Sequence, residues 1–279
     1  MSVTNTNSNS SIPKENALNS YLDKMWKDYC AFNARAAQIY QTLTSFGENV
    51  LNDHIALRTV NHPSLGIQSL AQHFEKYGYK DSGEYFFKEK KLYAKHYEHE
   101  DKTQPKIFIS ELELEKCSPF VQETFQTCMQ SIKPTDVKNE NFVFSGRPWD
   151  ALYSTFEKLA KESEYASWVY AYGFRPNHFT VSVNHLQILR SVEQINHFLE
   201  ERGIKLNAAG GKIKGTPLEL LEQSSTMAEE VQVQFADGVH QIPSCYYEFA
   251  RRYPKPNGEL YQGFIAKSAD KIFESTNKI

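Results

Sequence analysis

Two stretches of this chain share one design. The first reads Asn52-Asp53-His54-Ile55-Ala56-Leu57-Arg58-Thr59-Val60 and the second Pro176-Asn177-His178-Phe179-Thr180-Val181-Ser182-Val183-Asn184. Each has the pattern of a β-strand and opens with a histidine. Each then runs into an amphipathic helical pattern that stops at a glycine, Gly78 in one copy and Gly203 in the other. A duplicated strand–helix unit with a histidine at the same place in each copy predicts a pseudo-symmetric metal site.

Side chains two apart on a strand share a face. His54, Ala56, Arg58 and Val60 therefore point one way, and Ile55, Leu57 and Thr59 the other. In the second copy His178, Thr180, Ser182 and Asn184 oppose Phe179, Val181 and Val183. Both histidines fall on the more polar face, which predicts a sheet with one side lining a site and the other packed under helices.

Around these strands the pattern predicts an N-terminal helix over 18–46, strands over 85–87, 92–97 and 106–112, and helices over 120–132 and 149–168. A short helix over 218–222 and strands over 231–235 and 245–251 follow, the two strands joined at Ala236-Asp237-Gly238. The spacing Ser191-Val192-Glu193-Gln194 predicts a capped helix start. The fold class is α+β. Repeat one covers about 50–113, a helical insertion about 114–170 and repeat two about 176–252, all within a single catalytic domain over 20–279.

Residues 1–19 are rich in Ser and Asn, with no apolar block and no Arg. They read as a disordered tail, not a secretory or transit signal. No window approaches the roughly 20 apolar residues of a membrane span. A net charge of −3 gives no electrostatic case for nucleic acid or an anionic membrane as partner. Four cysteines without regular spacing read as reduced thiols, which predicts a cytoplasmic protein.

Glu248 lies mid-strand in Tyr246-Tyr247-Glu248-Phe249. A carboxylate among aromatic residues needs a cation, and either an arginine or a metal would serve. Arg251 and Arg252 are the arginine candidates. Two histidines and one carboxylate from three strands would form the facial triad that suits non-haem Fe(II). His96 and His99, an odd number of residues apart on one strand, are expected to face opposite ways and to be exposed. Arg58 lies roughly 13 Å along the strand from His54, on the same face. It is read either as a substrate-carboxylate ligand or as one half of a salt bridge to Glu248 or another acid. Gln223, Ser225 and Tyr246 are candidates for the pocket wall.

Several strings resemble the 2-oxoadipate dioxygenase/decarboxylases, also called hydroxyglutarate synthases. They are His54-Ile55-Ala56-Leu57-Arg58-Thr59, Arg175-Pro176-Asn177-His178-Phe179-Thr180, Gln223-Ser224-Ser225-Thr226, Tyr246-Tyr247-Glu248-Phe249-Ala250-Arg251, and the stretch from Leu260 to Thr276. The resemblance implies a vicinal-oxygen-chelate-like incomplete β-barrel built from two βαβββ units. It makes His54, His178 and Glu248 the Fe(II) ligands and Arg58 the substrate-carboxylate arginine. The implied reaction takes a 2-oxo acid and O2 to a 2-hydroxy acid and CO2. Longer members of that family carry a C-terminal extension with substrate contacts, so the metal chemistry is expected to carry over more directly than the choice of 2-oxo acid. A Zn(II) or Ni(II) lyase, isomerase or hydrolase on the same scaffold, or a metal-free ligand-binding protein, are the alternative functions.

Overall fold

The computed structural model describes residues 14–276. Helix α1 (Lys14–Phe32) buries Leu18, Tyr21, Met25 and Tyr29, one helical face at three- and four-residue spacing. It starts inside the stretch read as a tail, of which residues 1–13 lie outside the described residues. The single helix expected over 18–46 is two. Asn33 leaves helical geometry at φ −141°, its side-chain oxygen accepts from Ala36 N at 3.1 Å, and α2 (Ala34–Ser45) begins there. An asparagine that satisfies a free amide at a helix start is worth more there than inside a helix.

Unit one consists of β1 (Asn52–Val60), α3 (Ile67–Glu75), β2 (Lys80–Phe87), β3 (Leu92–Glu98) and β4 (Lys106–Leu112). The insertion carries α4 (Pro119–Met129), α5 (Pro134–Val137), α6 (Tyr153–Glu162) and α7 (Glu164–Tyr172). The helix expected over 149–168 starts later and breaks at Ser163, whose extended backbone and hydroxyl cap α7 through Ala166 N.

Unit two holds β5 (Pro176–Ser182), α8 (Val192–Glu200), β6 (Lys214–Thr216) and β7 (Leu221–Ser225). The hairpin β8 (Glu230–Phe235) and β9 (Gly238–Pro243) and then β10 (Tyr246–Arg252) complete it, and α9 (Ala266–Ile272) follows. The helix expected over 218–222 is instead a 3-10 turn, Pro217–Glu219, that ends at Leu220 with φ +64°. The chain then enters β7, because pairing with β10 outweighs the helical composition of Leu218-Glu219-Leu220-Leu221-Glu222. The turn at Ala236-Asp237 is where it was expected, but it joins β8 to β9, a strand not anticipated, and not to β10.

Eight strands form one sheet in the order β2-β3-β4-β1-β5-β10-β7-β6. Each unit contributes four in mirrored order, and the central pair, β1 and β5, run antiparallel. β1 is parallel to β4 and β5 is parallel to β10. The hairpin β8–β9 is an insertion ahead of the last strand of unit two. The sheet curls into an incomplete barrel.

The two connecting helices end alike. Gly78 (φ +104°) and Gly203 (φ +72°) take the left-handed turn two residues past the last capped position, and the residue after each donates back to Phe74 O or Leu199 O. Only glycine adopts that backbone without steric cost. The outer face of β5 packs under α1, with Phe179 against Tyr29 and Trp26. The expected two-sided arrangement is present, and both sides are covered: every residue from Asp53 to Val60 is buried.

Candidate metal centre

The antiparallel register of β1 and β5 sets Ala56 opposite His178 and His54 opposite Thr180. It skips one residue on each strand, Asp53 on β1 and Asn177 on β5, immediately before each histidine. Bulges of this kind re-aim neighbouring side chains. Here each extra residue turns its oxygen onto the next imidazole. Asp53 Oδ1 lies 2.8 Å from His54 Nδ1, and Asn177 Oδ1 lies 3.0 Å from His178 Nδ1. Both oxygens accept, so both Nδ1 atoms carry the proton and both Nε2 lone pairs face inward.

Glu248 enters from β10, paired with Thr180 on one side and Ser225 on the other. His54 Nε2 is 3.6 Å from its Oε1 and His178 Nε2 is 3.3 Å from its Oε2. One donor atom from each of the three residues falls within 4.8 Å of the others. All three side chains are buried. Gln223 Nε2 donates to Glu248 Oε1 at 2.6 Å, while Oε2 has no hydrogen-bond partner. Among the described residues Glu248 forms no ion pair with Lys or Arg. Arg252, the arginine partner considered from sequence, is bound to Asp53 through Nε (2.7 Å) and Nη2 (2.9 Å).

The cation that Glu248 requires is therefore not a guanidinium. A buried carboxylate with a bare oxygen, facing two imidazole lone pairs, fits a divalent metal, and this donor set suits Fe(II) or Zn(II). The mirrored register also identifies what is missing. Ala56 pairs with Phe108 on β4 as Thr180 pairs with Glu248 on β10. Where unit two presents a carboxylate, unit one presents a phenyl ring, so among the described residues three His and Glu donors converge, with the Thr180 hydroxyl 3.1 Å from His54 Nε2.

Burial pushes both imidazoles down, His178 strongly, and keeps them neutral and ready to ligate. In His54 the Asp53 carboxylate partly offsets that effect. Burial alone would raise Asp53, but Arg252 and Lys106 outweigh it and hold that carboxyl well below the ordinary carboxylate range. Burial pushes Glu248 from 4.5 up to about 8. The metal-free carboxyl thus binds a proton at neutral pH, and a metal must displace it. Stability contributed by that proton is present below the unfolded value and is lost as pH rises towards 8. Metal affinity moves the opposite way. It should rise by nearly tenfold per pH unit and level off above about 8. Anaerobic Fe(II) or Co(II) titrations across that range measure it, and an affinity independent of pH would contradict the assignment.

The cavity at the three donors is about 20 Å³, room for a water or an ion. Besides the ligands it is lined by Phe108, Gln223 and Tyr246, and by Phe264, Ala269, Ile272 and Phe273 from the C-terminal segment. Tyr246 stacks on His178 with ring centroids 4.5 Å apart, and its hydroxyl is buried without a partner. Of the pocket-wall candidates, Gln223 and Tyr246 line this cavity. The Ser225 hydroxyl is turned to Ser275 Oγ at 2.8 Å instead. Arg58 is buried beside the site and pairs with an acid, Glu164 Oε1 at 2.7 Å and not Glu248, while its Nε and Nη2 have no partner. His96, expected to be exposed, is buried between the Tyr85 hydroxyl and Glu98.

The sequence reading passed over Asp53, Asn177 and Glu164, and it offered Arg252 to Glu248 where the structure gives it to Asp53; the first two carried a visible signal, an acceptor side chain directly before the histidine in both copies. Arg252 and Glu164 are joined to the site only by tertiary contacts.

Comparison with known proteins gives the family. The family model for 2-oxoadipate dioxygenase/decarboxylase matches residues 9–136 and 144–259. The 2-oxoadipate dioxygenase/decarboxylases of rice and Arabidopsis thaliana are each 36% identical, over 92% and 96% of this chain and 78% and 80% of their own lengths. The crystal structure of the rice hydroxyglutarate synthase in complex with 2-oxoadipate superposes with a TM-score of 0.87 at 34% identity, covering 99% of this chain and 97% of that one. A Shewanella frigidimarina structure described as a hydrolase superposes at 0.85 with 50% identity, covering 89% and 97%. A fold with two mirrored units around two histidines and a glutamate, and relatives this similar over nearly the whole chain, lead to one conclusion: the chain belongs to the 2-oxoadipate dioxygenase/decarboxylase family of enzymes.

Proposed function

We propose that this enzyme is a non-haem Fe(II)-dependent dioxygenase/decarboxylase acting on a 2-oxo acid, 2-oxoadipate or a close analogue. With 2-oxoadipate the balanced reaction is 2-oxoadipate plus O2 to 2-hydroxyglutarate plus CO2. The observation that carries the reading is the convergence of His54, His178 and Glu248, with a phenyl ring at the position in unit one that matches Glu248. Fe(II) held there would offer the 2-oxo acid a point of chelation and activate O2.

The protein's own part is to bind, orient and exclude water. Asp53 and Asn177 fix the two imidazoles, and Arg252 fixes Asp53. Gln223 holds one oxygen of Glu248 so that the other stays free. Phe108 and Phe264 give the cavity apolar walls that keep water out. We assign Arg58 to the distal carboxylate of the substrate, because its fork retains two buried N–H donors without partners. Tyr246 offers a third donor across the cavity. All four cysteines are free, which supports a reducing compartment. We place the enzyme in the cytoplasm, although its plant relatives are described as chloroplastic. No described helix is long and apolar enough to cross a membrane.

The test is anaerobic reconstitution with Fe(II) followed by an oxygen-electrode screen of 2-oxo acids of graded chain length. Oxygen uptake that needs both ferrous iron and the 2-oxo acid, with one CO2 released per O2, is expected. The hydrolase description of the Shewanella relative favours a second reading, a metal-dependent hydrolase. Turnover with Zn(II) and no oxygen uptake would select that one.

A further inference from the structure

The roof over the metal cavity is the segment of residues 261–276. Its cavity-facing side chains leave about 20 Å³, far too little for a dicarboxylic acid. Beyond Phe273, the turn Phe273–Thr276 borders a second, open cleft of about 520 Å³ lined in part by Glu164, Trp168 and Thr276. Arg58 lies beneath this partition. Its guanidinium carbon sits 4.8 Å from the Tyr165 ring, 5.2 Å from Trp168 and 5.5 Å from Phe273.

One carboxylate oxygen joins these parts. Glu164 Oε1 accepts from Arg58 Nη1 and also from the Thr276 hydroxyl. The Glu164 side chain is about 23% exposed on the cleft side, whereas that of Arg58 is about 1% exposed. Arg58 spends a single N–H on this partner and keeps Nε and Nη2 buried and unpaired. A fork left in that state is under-satisfied, and a carboxylate that engages two of its donors binds better than one that engages a single donor.

We propose that Glu164 is an internal competitor for Arg58 that the distal carboxylate of the substrate displaces, and that this exchange releases Thr276 and loosens the roof. The inference rests on the reading that Arg58 seats a substrate carboxylate. The acid approaches from the cleft, and Glu164 swings back towards solvent as it arrives. The turn does not leave. Ser275 stays bound to Asn207 and Ser225, and Ala228 N stays on Ser275 O, so the roof pivots at this anchor. Glu164 thereby acts as a positioning residue that occupies the fork until an acid with a second carboxylate displaces it, which lowers the affinity for such acids and leaves monocarboxylic ones untouched.

Glu164→Gln tests this, because the amide keeps an acceptor for Arg58 and Thr276 while removing the charge. The probes are 2-oxoadipate and 2-oxohexanoate, the same chain without the distal carboxylate. Binding is measured by calorimetry on anaerobic Fe(II)-loaded protein, where no turnover occurs. The variant should bind 2-oxoadipate about tenfold more tightly and 2-oxohexanoate as the wild type does. Equal or weaker binding of 2-oxoadipate would overturn the proposal. Arg58→Ala separates the two layers. If it loses 2-oxoadipate affinity while Glu164→Gln gains none, the competitor fails and the Arg58 seat stands; if it binds 2-oxoadipate unchanged, the seat itself fails. Amide hydrogen exchange at residues 273–276 gives a readout independent of the metal. Exchange should quicken in wild type on adding 2-oxoadipate, and in Thr276→Val without any ligand. Exchange unchanged in both would refute the coupling to the roof.

Discussion

Replacing His178 by alanine should empty the metal centre. Structural metal sites with four ligands are worth roughly 10–16 kcal/mol, so one ligand is worth about 2.5–4 kcal/mol, or on the order of 10²–10³ in affinity. The site here groups two histidines and one acid, and that acid, Glu248, would then be left with one imidazole in a buried cavity. The variant should therefore purify without iron and show no iron-dependent oxygen uptake. His178 also stacks on Tyr246, so some stability is lost with the ring. Elemental analysis on protein prepared without chelator is the direct measurement, and full iron occupancy would remove His178 from the ligand set.

Replacing Arg58 by alanine should have the opposite profile. The metal donors do not touch Arg58, so iron occupancy should stay near that of the wild type. Truncating one partner of a buried charged pair costs about 2–5 kcal/mol, which predicts roughly a 30- to 5,000-fold loss of kcat/KM on dicarboxylic 2-oxo acids. Monocarboxylic 2-oxo acids should lose far less. Part of the cost falls on the fold, since Tyr165, Trp168 and Phe273 pack on the guanidinium. Arg58→Lys controls for that part: it keeps the charge and much of the stem but not the fork. Unchanged kinetics on 2-oxoadipate in the alanine variant would end the assignment.

The two variants bracket what can be read without coordinates. His54 and His178 were visible because a strand's alternation and a helix's periodicity are local properties, repeated here with the same glycine stop. Glu248 was visible because a lone acid among Tyr246, Tyr247 and Phe249 contradicts its own surroundings. The failures were of another kind. The composition of 218–222 favours a helix, yet Gln223 and Ser225 pair with β10 and draw Leu221 into the strand. Asn33 and Ser163 fit their helical windows and nevertheless end them by capping the next helix.

The chain's own sequence determined the duplicated units, the identities of the three candidate metal donors and the family, because each rests on residue types at short, regular spacing. Tertiary structure alone decided how those ligands are held. Two bulges exist only where β1 meets β5, Arg252 reaches Asp53 from the far end of the chain, and Glu164 reaches Arg58 from the insertion. Such contacts join residues far apart in the chain, and what fixes them is packing and hydrogen-bond satisfaction in the folded molecule. No local pattern records that.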